Sequence, residues 1–134
     1  MMNLLAFYLV MICSLSFGQS IRDLKNGEKL LINYESWGCF SSDRDDIAFE
    51  MKNSKYYVLY GLVTKELTTD QVNSIKAFEE KLINIENHGC TTVDSYYFEY
   101  KNIGSKYSDA SCSWNGWSVL LKELGLEKKK MSMD

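Results

Sequence analysis

Apolar and polar positions follow two regimes along this chain. Leu4 to Ile12 is an unbroken apolar run, and no charged side chain occurs before Arg22. Beyond that point the apolar residues recur with the periods of strands and helices. From Lys29 to Trp37, Leu30, Ile32 and Tyr34 fall on one side and Asn33 and Glu35 on the other, which predicts a first strand. Ile47, Phe49 and Met51 alternate with Ala48, Glu50 and Lys52, and the pattern resumes after Asn53 and Ser54 as Tyr56, Val58, Tyr60 and Leu62. That is a β-hairpin, with Met51 opposite Tyr56, Phe49 opposite Val58 and Ile47 opposite Tyr60.

A helix is announced by Thr68, placed as N-cap, with Gln71 three residues on to complete a capping box and Leu67 and Val72 as its hydrophobic staple. Val72, Ile75, Phe78, Leu82 and Ile85 share one helical face, and the end is expected near His88 and Gly89, where a glycine can take the left-handed closing conformation. Thr92 to Lys101 and Ser105 to Ser111 read as a second hairpin, turning at Asn102, Ile103 and Gly104 and carrying Tyr96, Phe98 and Tyr100 on one side. Trp117, Leu120, Leu121 and Leu124 form a last helical stripe, followed by Gly125 and Leu126 in the arrangement of a Schellman closure. The expected fold is α+β: an antiparallel sheet, order βββαββα along the chain, with both helices packed on one face.

The leading apolar run changes the picture of where this domain resides. It is shorter than the ~20 residues that span a bilayer and has the length of a signal-peptide core, while Ser16 and Gly18 supply the small residues that signal peptidase accepts. Residues 1–18 are therefore expected to be a signal peptide cut between Gly18 and Gln19, leaving residues 19–134 as one secreted or periplasmic domain without a membrane anchor. Lipidation at Cys13 is disfavoured because Val10, Met11 and Ile12 precede it, with no small residue beside the cysteine. The formal net charge is −3, and the one basic cluster is Lys128, Lys129 and Lys130 at the tail, so nucleic acid is not an expected partner.

Export to an oxidising compartment favours disulfides, and Cys39, Cys90 and Cys112 remain after the cut. If strands alternate in direction and the helix crosses the sheet once, Cys90 and Cys112 lie at one end and Cys39 at the other. The expected bridge is Cys90–Cys112, with Cys39 left as a thiol or joining two copies. His88, the sole histidine, could activate a Cys90 thiolate, yet a place in the last helical turn favours interaction with free carbonyls and the dipole. Cys39, Cys90, Cys112 and His88 have the makeup of a zinc site but lack a C-x2-C pair, so no metal is expected.

Asp43, Asp45 and Asp46 suggest a calcium loop, but the spacing is not that of an EF-hand, and solvated loop charge is the expectation. Asp94 and Asp109 lie on adjacent strands of the second hairpin, with Asp109 opposite Phe98 in the simplest register, and a cap or turn role is expected of them. The remaining feature is the second sheet face. Leu31, Trp37, Tyr57, Leu59, Val63, Val93 and Tyr97 stand there among Asn33, Glu35, Glu50 and Glu99, too apolar for water alone. Trp37, Tyr57, Leu59 and Tyr97 are the binding candidates, because aromatic residues dominate interface energy. The function expected is a secreted or periplasmic binding module, inhibitor-like in kind, that recognises a protein or cell-envelope ligand without a cofactor. The alternatives are a homodimer through Cys39 or the aromatic face, and a small exported hydrolase.

Overall fold

A computed structural model describes residues 20–40 and 42–127. The expected signal peptide, its cut between Gly18 and Gln19, and the lysine cluster of the tail lie outside the described residues. The strands are β1 (Lys29–Trp37), β2 (Ser42–Lys52), β3 (Lys55–Tyr60), β4 (Val63–Glu66), β5 (Val93–Tyr100) and β6 (Ile103–Asp109), and the helices are α1 (Thr69–Ile83) and α2 (Gly116–Glu123). They build one six-stranded sheet, ordered β4-β3-β2-β1-β5-β6 and antiparallel throughout. The α+β class and the helices on one face are as expected. The strand pattern differs in that β3 stops at Tyr60 and a fourth strand follows.

Turn chemistry explains that difference. Gly61 has φ of +58° and forms a two-residue loop with Leu62, so Tyr60 pairs with Val63. A glycine at the first central position is what a type II′ hairpin requires. Val63 therefore lies on the helix side of the sheet, opposite Tyr60, and not on the outer face where the sequence pattern placed it. At Asn53 and Ser54 both φ values are positive, 53° and 61°, as in a type I′ loop, and the register is the expected one: Phe49 opposite Val58 and Met51 opposite Tyr56.

The last hairpin turns earlier than expected. Lys101 and Asn102 carry the positive φ values, 50° and 63°, so Tyr100 pairs with Ile103 and Gly104 sits inside β6. Asp109 is consequently opposite Asp94, not Phe98. Gly104 misled the sequence reading because it is a usual turn residue. In β6 it has room to spare: a Cβ there would come no nearer than 3.8 Å to the Phe98 carbonyl.

Both helices cover the same sheet face. Leu30, Ile32 and Tyr34 of β1, Ile47 and Phe49 of β2, Val58 of β3 and Tyr96 and Phe98 of β5 are buried against Ile75, Phe78 and Leu82 of α1 and Trp117, Leu120 and Leu121 of α2. Tyr34 and Trp117 stack with centroids 4.9 Å apart, and Phe78 meets Tyr96 edge-on at 5.3 Å. Gly116 makes this packing fit, because a Cβ there would fall 2.6 Å from the Trp114 ring. The capping box forms as read, with the Gln71 amide donating to Thr68 Oγ1 at 3.2 Å and the Thr68 amide to Gln71 Oε1 at 3.0 Å. The Schellman closure forms too: the Leu126 amide donates to the Leu121 carbonyl at 2.8 Å and the Gly125 amide to that of Lys122 at 3.0 Å.

Helix α1 ends at Ile83, short of His88. Asn84 caps it, its side-chain amide donating to the Glu80 carbonyl at 2.8 Å, and asparagine readily takes such a local bond in place of helix continuation. Residues 85–90 then run beside Ala110, whose carbonyl accepts from the His88 and Cys90 amides at 3.3 and 3.0 Å. That seat brings Cys90 to Cys112, and the two form a disulfide with Cα atoms 5.8 Å apart.

Candidate functional site

Strand periodicity and register together determine what the outer face displays. Residues paired across strands share a face, so Leu59, Ala48 and Leu31 form one apolar row over β3, β2 and β1, with Tyr57 beside Leu59. At the other end of β1, Trp37 pairs with Val93. Between these patches run two polar rows: Asp46, Asn33, Tyr97 and Lys106, then Arg44, Glu35, Ser95 and Ser108. The four candidates therefore share a face, but not as one continuous aromatic surface. Tyr97 stands inside a charged belt that separates Trp37 from the Tyr57–Leu59 patch.

The belt is concave. A hollow of about 700 Å³ is lined by Asn33, Glu35, Arg44, Asp46 and Tyr97 together with Tyr34 and Asp45. A second, of about 370 Å³, adjoins it across Asn33 and Tyr97 and reaches Asn102, Ser105 and Lys106. The rings beside them are dressed by cations. Arg44 sits 5.9 Å over the Trp37 ring and 3.4 Å from Glu35, while Lys106 sits 5.4 Å over Tyr97. The Trp37 indole N–H donates to Glu35 Oε2 at 3.3 Å, yet the side chain stays 51% exposed. Such cation–ring contacts at exposed sites contribute about 0.5–1 kcal/mol each, little enough for a ligand to displace. The arrangement offers an aromatic floor at Tyr97, donors and acceptors of both charges around it, and the exposed Trp37 ring outside the hollow, joined to it through Glu35 and Arg44.

On the inner face, Asp43 and Asp45 lie within β2, not in a loop. The register brings them into rows with the pair that seemed unrelated to them: Asp43, Ser36, Asp94 and Asp109 form one row, and Asp45, Tyr34, Tyr96 and Tyr107 the next. These carboxylates are occupied by the fold. Asp45 Oδ2 accepts from the Tyr60 hydroxyl at 2.6 Å and the Trp117 indole at 2.9 Å. Asp94 Oδ1 accepts from Ser36 Oγ at 2.5 Å. Asp109, only 3% exposed, takes the Ser111 amide at 2.9 Å and its hydroxyl at 2.5 Å, fixing the turn into Cys112. Burial pushes the Tyr34 and Tyr60 phenols up, and Asp45 adds to both shifts, so these hydroxyls stay protonated donors. The alternation of Asp43 and Asp45 with Arg44 and Asp46 was the available signal for this extra length of β2.

The remaining candidates are dispersed. His88 is exposed and outside any helix, so the helix-dipole role expected of it does not hold. Cys39 is an exposed free thiol in the β1–β2 turn, beside the exposed Phe40. Neither outer hollow includes Asp94, Asp109 or His88. Among the described residues no group of three or more His, Cys, Asp or Glu side chains is placed to hold a metal, and no helix is long and apolar enough to cross a membrane. Comparison with protein-family models, with curated proteins and with solved structures finds no match to this chain.

Proposed function

We propose that this chain is an exported binding module that recognises a protein or cell-envelope ligand through the outer face of its sheet, with Tyr97 at the centre and Trp37 beside it. One observation carries the reading. The inner face is filled by two helices, whereas the outer face keeps a ring-floored, charge-lined hollow that no described element covers. Recognition sites combine concavity, aromatic contact area and a few polar groups that fix orientation. The Tyr57–Leu59 patch extends the contact beyond the hollow, and Glu35, Arg44 and Asp46 set its polarity. The disulfide supports export, since such bonds persist in oxidising compartments.

The test is capture from the native compartment on immobilised mature protein, comparing wild type with Tyr97→Ser and Trp37→Ala. The reading expects a ligand retained by wild type and lost from both variants at unchanged melting temperature. Equal retention on all three would move recognition off this face.

A further inference from the structure

We infer that the hollow at Tyr97 takes a neutral oligosaccharide. This rests on the reading of the outer face as a recognition surface and names the chemistry of what that face recognises.

The hollow lies over β1 and β5, interior strands of the sheet with a paired neighbour on each side. Their backbone N–H and C=O groups are taken up by the ladder, so a peptide strand finds no edge to join there. Recognition falls to side chains. Those on the outer face are Asn33, Glu35, Arg44, Asp46 and Tyr97, since Tyr34 and Asp45 belong to an inner-face row. Among the described residues none that lines this hollow is aliphatic, so it offers no socket for the apolar side chain with which a protein anchors itself.

The polar groups are mixed in kind. Glu35 and Asp46 accept, the Arg44 guanidinium donates, and the Asn33 amide does both. A phosphate or carboxylate ligand would face two carboxylates and one guanidinium, which already lies 3.4 Å from Glu35. An ammonium ligand would be repelled by Arg44. A sugar hydroxyl both donates and accepts, so it can satisfy every one of these groups. A pyranose also carries C–H bonds on its faces and hydroxyls at its edges. Tyr97, with polar groups around it, matches that division: the ring takes the C–H face and the belt takes the edges. The Lys106 ammonium over the Tyr97 ring is exposed and held there weakly, and once moved aside it stands at the rim as a further donor.

The lining is longer than one sugar. Asn33 and Tyr97 also line the second hollow, where Gly104 puts no side chain opposite Glu99 and where Asn102 and Lys106 add donors. The row of Asp46, Asn33, Tyr97 and Lys106 crosses four neighbouring strands, which at ~4.8 Å per spacing is about 14 Å. A chain of sugars fits that reach better than a single ring. Glu35, Asp46 and Glu99 against Arg44 and Lys106 leave no cationic excess for a uronate or a sulfate.

The experiment is an array of immobilised tetrasaccharides of glucose, mannose, galactose and N-acetylglucosamine, with uronate and sulfated tetrasaccharides beside them. It is probed with wild type exported from the full chain and with Tyr97→Phe, Tyr97→Ser and Asp46→Ala, each with a melting curve. Wild type should bind at least one neutral tetrasaccharide, and bind it above any acidic one. Tyr97→Phe keeps the ring and should bind within about twofold, whereas Tyr97→Ser should bind about tenfold more weakly, the size of one stacking contact. Asp46→Ala, at an exposed position, removes an acceptor from the belt and should also weaken binding about tenfold. No binding to the array, a preference for acidic sugars, or equal binding by wild type, Tyr97→Ser and Asp46→Ala overturns the inference. With the array silent, a protein captured from the native compartment by wild type and lost from Tyr97→Ser overturns the sugar alone and leaves the outer face as a recognition surface. Failure of array and capture together overturns both.

Discussion

The two faces of this sheet are made from the same strands, one residue out of step, and they have opposite fates. On the inner face the buried rings of β1 and β5 meet other rings, as Tyr34 does with Trp117, Tyr96 with Phe78 and Phe98 with Tyr107. On the outer face the rings meet cations and solvent, as Trp37 does with Arg44 and Tyr97 with Lys106. Carboxylates divide the same way: inner Asp45 accepts from two buried-side donors, while outer Glu35 pairs with the exposed Arg44. Inner-face side chains are committed to stability, and outer-face side chains remain available for contact.

The sharpest way to break that contrast is truncation on each face. Trp117→Ala should cost ~3–5 kcal/mol, as large buried aromatic truncations do, and it also removes a donor to Asp45. Trp37→Ala should stay within about 0.5 kcal/mol, as surface changes away from special features do. Denaturant melts of the two variants compare them directly, and similar losses would erase the distinction between the faces.

Next in size is the disulfide. Its sequence separation is 22, and closing a loop of that length stabilises by ~3 kcal/mol in the chain-entropy model. Reduction, or the paired Cys90→Ser and Cys112→Ser change, should lower the melting temperature accordingly, whereas Cys39→Ser should leave it unmoved. A smaller effect attaches to Asp45→Ala. It strands the Tyr60 hydroxyl and the Trp117 indole without their acceptor and should cost about 2 kcal/mol in the same melts.

The least effect is electrostatic. Lys101 Nζ lies 2.8 Å from Glu28, and that hydrogen bond, with further ones from the Lys25 amide and Tyr100, lowers the Glu28 pKa from 4.5 to about 2. A carboxylate with a depressed folded pKa stabilises the fold above its unfolded value. The contribution should therefore be intact at neutral pH and fade as pH falls from about 4.5 toward 2. Melting Glu28→Gln beside wild type across that window should show the two curves converging at the acid end.

How much of this was legible in the sequence follows from the reach of each signal. The bounds of β1, the first hairpin register, the capping box and the Schellman closure are local patterns, and each appears where read. The bridge between Cys90 and Cys112 forms as expected, but the strand directions behind that expectation do not hold: the extra strand β4 reverses β5 and β6, so Trp37 pairs with Val93 and Cys39 lies at the same end of the sheet as the bridge, not at the opposite one. Two of the misreadings share one cause, which is that a residue's commonest local use was taken for its use here. Gly104 is a usual turn residue yet lies in a strand, because Lys101 and Asn102 adopt the left-handed turn. Asp43 and Asp45 are usual loop residues yet extend β2, where Asp45 is held by donors that Tyr60 and Trp117 supply from elsewhere in the chain. Glu79 carried a usable clue: it follows Ile75 by one helical turn and precedes Leu82, a carboxylate on an apolar stripe. Its partners, Ser20 and Ile21, could not be read from spacing. The outer site was legible as a set of residues but not as a shape, since the polar belt that parts Trp37 from Tyr57 depends on the pairing of β1 with β5.

The measurement that bears most directly on the division between the faces is ligand retention by a variant carrying Trp37→Ser, Tyr57→Ser, Leu59→Ser and Tyr97→Ser together. It should be made beside wild type and with a melting curve for each. The account predicts a cooperative melt close to that of wild type and loss of the ligand that wild type captures. A variant that unfolds, or one that melts normally and still retains the ligand in full, would contradict it.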